Sequence, residues 1–168
     1  TKDSWYFENL VDMQLLGAVP DAYSLNADIT RGEFVDMLYN FYNPGKSNIE
    51  LAYTDVTEDS PWANAVKWAL EAGVIRGITD KTFAPDKKIT RLEMIVMLAR
   101  FDEERENPLT ATEPEYHLAD CNNIPSWGKN AVHWAVANGI IHGNNGSILP
   151  DDYVKVSEAI AMISRCAK

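Results

Sequence analysis

Apolar residues recur at helical spacing in three stretches, two of which share a start signal. Phe34, Met37, Leu38 and Phe41 follow Ile29-Thr30-Arg31-Gly32-Glu33, and Met94, Met97, Leu98 and Phe101 follow Ile89-Thr90-Arg91-Leu92-Glu93, at an offset of 60. Spacing of i, i+3, i+4 and i+7 predicts one amphipathic helix after each signal. Thr30 with Glu33, and Thr90 with Glu93, read as capping boxes: the hydroxyl accepts from the N3 amide and the Glu reaches back to the N-cap amide. The third stretch, Ala159, Met162, Ile163 and Cys166, follows Val154-Lys155-Val156-Ser157-Glu158, which has lost both the Thr cap and the Arg.

The rest of the chain repeats with these helices. Asp55 to Asp120 and Trp62 to Trp127 are offsets of 65, and Ala65-Val66-Lys67-Trp68-Ala69 answers Ala131-Val132-His133-Trp134-Ala135 at 66, one residue having been inserted. Gly73 and Gly139 end these helices at the left-handed C′ position. Phe83-Ala84-Pro85-Asp86 then matches Ile148-Leu149-Pro150-Asp151. A more diverged copy begins at Trp5, runs to Leu16-Gly17-Ala18-Val19, and has a loop about four residues shorter before Ile29. Linkers fall at Asn43-Pro44-Gly45-Lys46-Ser47-Asn48 and in the acidic stretch 102–115. Three helix-loop-helix units result, 1–43, 52–103 and 116–168, forming an all-α cooperative module.

Composition narrows the function. The chain has 168 residues, 46% hydrophobic and 24% charged, the profile of an ordinary globular protein with a real core. Its 25 acidic and 15 basic residues give a net charge of −10, which argues against nucleic acid as a partner. No apolar run approaches the ~18 residues of a membrane span, and the start, Thr1-Lys2-Asp3-Ser4-Trp5, reads as a mature form or an excised fragment. Cys121, in the place of Val56, and Cys166, in the place of a core Phe, read as buried free thiols. His117, His133 and His142, spaced by 16 and 9, have no metal-ligand spacing, and no cofactor is expected. No GxSxG, HExxH, P-loop or Rossmann pattern is present, so catalysis is not expected; Ile124 and Pro125 defeat an EF-hand reading of the loop after Asp120.

The pattern D-V-x(5)-W-A-x-x-A-V-x-x-A-x-x-x-G-x-I-x-G, then F-x-P-D-x-x-I-T-R-x-E and an apolar helix, resembles the S-layer homology family. Residues 55–101 carry it almost throughout, residues 120–166 well, and residues 5–41 mainly at Ile29-Thr30-Arg31-Gly32-Glu33. The resemblance implies a pseudo-threefold trimer in which the helix after each I-T-R-x-E joins a central three-helix bundle, with grooves between adjacent repeats. It also implies a secreted bacterial module that anchors an attached effector or S-layer domain to the cell surface without covalent bonds. The implied ligand is a cell-wall glycan, either a secondary polysaccharide bearing acidic pyruvate ketals or modified peptidoglycan.

Physical chemistry proposes where such a ligand would sit. A helix N-terminus attracts anions, and Arg31 and Arg91, one residue past the N-caps Thr30 and Thr90, could grip a carboxylate bidentately there; pairing with a neighbouring acid is the plainer alternative. Trp62 and Trp127 suit either a pyranose face or core packing, and Asp55 either the ligand or a local turn. Gly77 and Gly143 suit either close approach of a ligand or a positive-φ turn, and Lys155 could replace the missing Arg as a point charge. Repeat two, with Asp55, Trp62, Gly77, Thr90 and Arg91, carries the complete set. A helical-repeat scaffold that binds a protein partner is the competing function.

Overall fold

Thr30 and Thr90 start their helices as capping boxes. Thr30 Oγ1 accepts from the Glu33 amide at 3.2 Å while Glu33 Oε2 accepts from the Thr30 amide at 2.8 Å; the Thr90–Glu93 pair repeats this at 3.2 and 3.0 Å. The structure is a computed structural model that describes residues 24–105, 108–109, 118–142 and 146–166. Its helices are α1 (Arg31–Tyr42), α2 (Ala63–Glu71), α3 (Arg91–Glu103), α4 (Lys129–Ala137) and α5 (Val156–Cys166), with a one-turn 3₁₀ helix at Cys121–Asn123; there is no strand among the described residues. The start of α5 keeps half a capping box, since Glu158 Oε2 accepts from the Lys155 amide at 2.9 Å. Gly73 and Gly139 follow α2 and α4 at φ 69° and 66°, the left-handed stops expected of them.

Three equivalent residues tie the starts of α1, α3 and α5 together. The Ile29 amide donates to Val154 O at 2.8 Å, the Ile89 amide to Ile29 O at 3.1 Å, and the Val154 amide to Ile89 O at 3.2 Å, closing a ring of fully buried residues. Around it, the first amide of each helix donates to the loop before another: Arg31 to Lys87 O, Arg91 to Asp152 O and Val156 to Ala27 O. Such long-range pairing spares buried backbone groups the cost of going unpaired.

Below the ring, α1 packs against α2, and α3 against both α4 and α5. Phe34, Met37, Leu38, Met94, Met97, Leu98, Phe101, Ala159, Met162, Ile163 and Cys166 are buried in one contiguous apolar cluster, and Phe41 packs against it half-buried. At the far end Trp68, Tyr39, Tyr42 and Phe101 form an aromatic group, with Tyr42 edge-on to Phe101 at 5.1 Å. Among the described residues no helix is long and apolar enough to cross a membrane.

One core assignment is corrected. Cys121, expected to be buried like Val56, is exposed, because it opens the 3₁₀ turn and Ile124 fills the apolar site instead. Cys166 is buried as expected, and both thiols are free. The helical stretch after Trp5, together with His117 and Gly143, lies outside the described residues.

Candidate functional site

Arg31 and Arg91 open α1 and α3, and each guanidinium reaches the loop before a later helix, that of Arg31 the loop before α3 and that of Arg91 the loop before α5. Arg31 Nε donates to Phe83 O at 3.0 Å and Nη2 to Arg76 O at 3.2 Å, while Nη1 lies 3.7 Å from Glu93 and the guanidinium sits 4.9 Å over the Phe83 ring. The residue is only 3% exposed, and burial lowers its pKa despite the opposing pull of Glu93. Arg91 repeats the scheme in a wetter setting: Nε donates to Ile148 O at 2.7 Å and Nη1 to Glu158 at 2.8 Å. Its Nη2 hydrogens have no acceptor among the described residues.

Each arginine borders a groove. Arg91 lines a cavity of about 720 Å³ with His142, Asp152, Tyr153, Lys155, Glu158 and Arg165. Arg31 lines a smaller one of about 180 Å³ with Arg76, Gly77, Lys87, Glu93, Arg100 and Trp127. Position by position the grooves correspond: Arg31 to Arg91, Arg76 to His142, Lys87 to Asp152, Glu93 to Glu158 and Arg100 to Arg165. Both linings carry more cation than carboxylate, in a chain of net charge −10. Local positive potential of this kind attracts anionic ligands.

The geometry revises how these parts were expected to combine. The helix N-termini do not offer free amides: N1 and N2 of α1 donate to Lys87 O and Pro85 O, those of α3 to Asp152 O and Pro150 O, and the N3 amides to the Thr caps. Thr30 and Thr90 thus serve their capping boxes. The set Asp55, Trp62, Gly77, Thr90 and Arg91 is split between sites, because Gly77 lines the groove of Arg31 whereas Arg91 faces the loop that carries His142.

Asp55 does not cap a local turn as expected but holds the loop after α2, 28 and 29 residues further along the chain. Its carboxylate accepts from the amides of Phe83 and Ala84 at 2.9 and 2.7 Å, as Asp120 does from Ile148 and Leu149 at 3.1 and 2.8 Å. Gly77 has no positive φ; a β-carbon there would stand 2.2 Å from Thr79 O and 2.6 Å from Tyr53, so the loop's own packing demands glycine. Trp62 is half-buried against Gly32, whereas Trp127 is 59% exposed and lines the smaller groove. Lys155 lines the larger groove, with Nζ paired to Asp28, which also takes Lys88 at 2.7 Å. Both lysines hold the Asp28 carboxyl below its ordinary range. Gly143 lies outside the described residues.

Arg76, Lys87, Arg100 and Arg165 were not singled out from the sequence. Arg100 and Arg165 share the 65-residue offset of the motif residues, and that recurrence on the exposed edge of each apolar stripe was the available signal. No group of three or more metal-ligating side chains occurs among the described residues.

Two helix-loop-helix units, α2–α3 and α4–α5, each with its loop held by an Asp carboxylate, and two grooves bordered by Arg31 and Arg91 define a tandem helical-repeat module. The S-layer homology domain model matches residues 52–95 and 118–160, and the chain belongs to that family; residues before 52 are not matched. It is 29% identical to an endoglucanase of a Bacillus species over 85% of this chain and 15% of that enzyme. It is 31% identical to a cellulosome-anchoring protein of Acetivibrio thermocellus over 82% of this chain and 32% of that protein. A surface-layer protein of Lysinibacillus sphaericus is 29% identical over 58% of this chain and 8% of its own length. The chain therefore spans a third or less of each of these relatives. Family and relatives support a place at the cell surface.

Proposed function

We propose that this chain is a non-covalent anchor that holds an attached effector or S-layer domain to the bacterial cell wall by binding an anionic wall glycan in its inter-repeat grooves. The observation that carries the reading is the larger groove, where Arg91, Lys155 and Arg165 line about 720 Å³ and Arg91 Nη2 has no acceptor among the described residues. A guanidinium with Nη2 hydrogens to give suits a carboxylate such as a pyruvate ketal. The match to small parts of larger proteins, an endoglucanase among them, fits a module that positions chemistry performed elsewhere.

In this reading the units are 1–43, 52–103 and 116–168, arranged as a pseudo-threefold trimer. Support comes from the ring of Ile29, Ile89 and Val154, whose three bonds pass around the axis in one direction. The grooves are unequal. Beside Val156, the positions answering Glu93, Val96 and Arg100 are Glu33, Asp36 and Asn40, a set without a cation, so the third groove is the weakest anion site.

The test is sedimentation of the chain with purified cell walls before and after mild acid removal of ketals. Binding that falls with ketal removal is the expected result. Undiminished binding to stripped walls would exclude the ketal as ligand, and no binding to any wall would return the function to a protein-binding scaffold.

A further inference from the structure

The smaller groove holds a charge arrangement that folding does not explain. Four cations line it, Arg31, Arg76, Lys87 and Arg100, against one carboxylate, Glu93. Two of the four are engaged. Arg31 is buried with donors on Phe83 O and Arg76 O, and Lys87 Nζ lies 3.1 Å from Glu93 Oε1. The side chains of Arg76 and Arg100 have no hydrogen-bond or ion-pair partner among the described residues. Burial of Arg100 and the nearby charge of Arg76 together push its pKa below the ordinary arginine value, with Glu103 pulling the other way. Like charges brought together in a partly desolvated cavity repel, and an anion between them removes that cost.

We propose that Arg76 and Arg100, rather than the motif residue Arg31, form the anion grip of the smaller groove, and that they take an oxyanion substituent carrying two negative charges. The identity of that substituent as part of a wall glycan rests on the anchoring reading above; the grip itself does not. Two adjacent guanidiniums match two charges better than one, and each presents a planar fork of donors. A cavity of about 180 Å³ admits a charged substituent, while Ile78 and Trp127, 50% and 59% exposed at its edge, offer apolar surface to the sugar that bears it. The larger groove differs at the same positions. His142 stands for Arg76, Asp152 for Lys87, and Arg165 donates to Ile140 O at 3.0 Å. A preference for the dianion is therefore particular to the smaller groove.

The test titrates inorganic phosphate at pH 8, with acetate as the monoanion, into the whole chain and follows arginine Nε–H cross-peaks by NMR. Parent, Arg76→Gln, Arg100→Gln, the double variant and the charge control Lys46→Gln are compared. Phosphate should shift Arg76 and Arg100, bind more tightly than acetate, and weaken at least ~10-fold in either single variant but not in the control. Titration of the double variant like the parent, or shifts confined to Arg91, would overturn the proposal. Sedimentation of the parent with purified walls separates the two readings: phosphate held by Arg76 and Arg100 in a chain that ignores walls supports the grip and contradicts the anchoring function.

Discussion

Asp55 holds Ala84 in the left-handed region: its carboxylate accepts from the Ala84 amide at 2.7 Å, and Ala84 stands at φ 58°. Asp120 does the same for Leu149 at 2.8 Å and φ 55°. A residue with a β-carbon costs about 1–2 kcal/mol in this conformation, which two carboxylate–amide bonds offset. The loops so held carry Phe83 O and Ile148 O, the acceptors of Arg31 and Arg91. Asp55→Ala is expected to lower stability by about 2–4 kcal/mol in urea unfolding, and Ala84→Gly in that background to return about 1 kcal/mol. A further loss on adding Ala84→Gly would refute the strain account.

The fit of α1 to the start of α2 turns on Gly32. A β-carbon there would meet the Trp62 ring at 3.0 Å, whereas the equivalent Leu92 extends toward Gly128, where a β-carbon would fall 2.6 Å from Leu92 Cδ1. Leucine thus occupies the space that tryptophan takes in the other interface, and Trp127 is left in solvent. Gly32→Ala is expected to destabilise by about 1–2 kcal/mol although helix propensity favours alanine. Thermal melts check this; a stabilised variant would show that the ring yields freely.

These two cases mark what the sequence could disclose. The capping boxes, the glycine stops and the apolar stripes depend on residues within one or two turns of each other, so periodicity and spacing expose them. That Asp55 holds backbone amides was open to the same reasoning, since Asp habitually does so, but not which ones, because Phe83 and Ala84 lie 28 and 29 residues away on the far side of α2. Arg31 was not, because its acceptors lie 45 and 52 residues away and only the closed ring of Ile29, Ile89 and Val154 brings them to it. The loops that the ring draws together also occupy, through the carbonyls of Pro85, Lys87, Pro150 and Asp152, the helix-end amides that local reasoning left free for an anion. Cys121 escaped for a subtler reason: the two loops have equal length, but Ile124 in one replaces Val56 in the other as the buried anchor.

Arg31 and Arg91 should differ in what their loss costs the fold. Arg31→Ala leaves the carbonyls of Phe83 and Arg76 without their donor beneath a buried side chain, while Glu93 keeps Lys87, and is expected to cost about 2–4 kcal/mol. Arg91→Ala, where water can reach Ile148 O and Glu158, should cost about 1–2 kcal/mol. Urea midpoints for the two variants give the comparison, and a larger loss for Arg91→Ala would contradict it.

Cys166 makes stability fall in alkali. Burial pushes its thiol from 9.0 up to about 12, with Asp102 adding to the rise and Arg105 opposing it. Between those values the unfolded chain releases a proton that the native chain keeps, so the thiol's contribution is intact below pH 9 and lost as pH climbs toward 12. The slope is at most about 1.4 kcal/mol per pH unit. Denaturation at several pH values from 9 upward should show a shallower decline for Cys166→Ala than for the parent, whatever its absolute stability; parallel declines would exclude the thiol as the cause. In the native protein a thiol reagent should modify Cys121 alone.

The anchoring account rests most heavily on Arg91 and its groove. Equilibrium sedimentation with purified cell walls, using parent, Arg91→Ala and Arg91→Lys with folds verified by circular dichroism, measures that directly. Loss of the guanidinium should weaken binding by at least ~1.5 kcal/mol, about tenfold, and lysine should recover only part of it because the planar fork is gone. Equal binding by all three folded proteins would contradict the account.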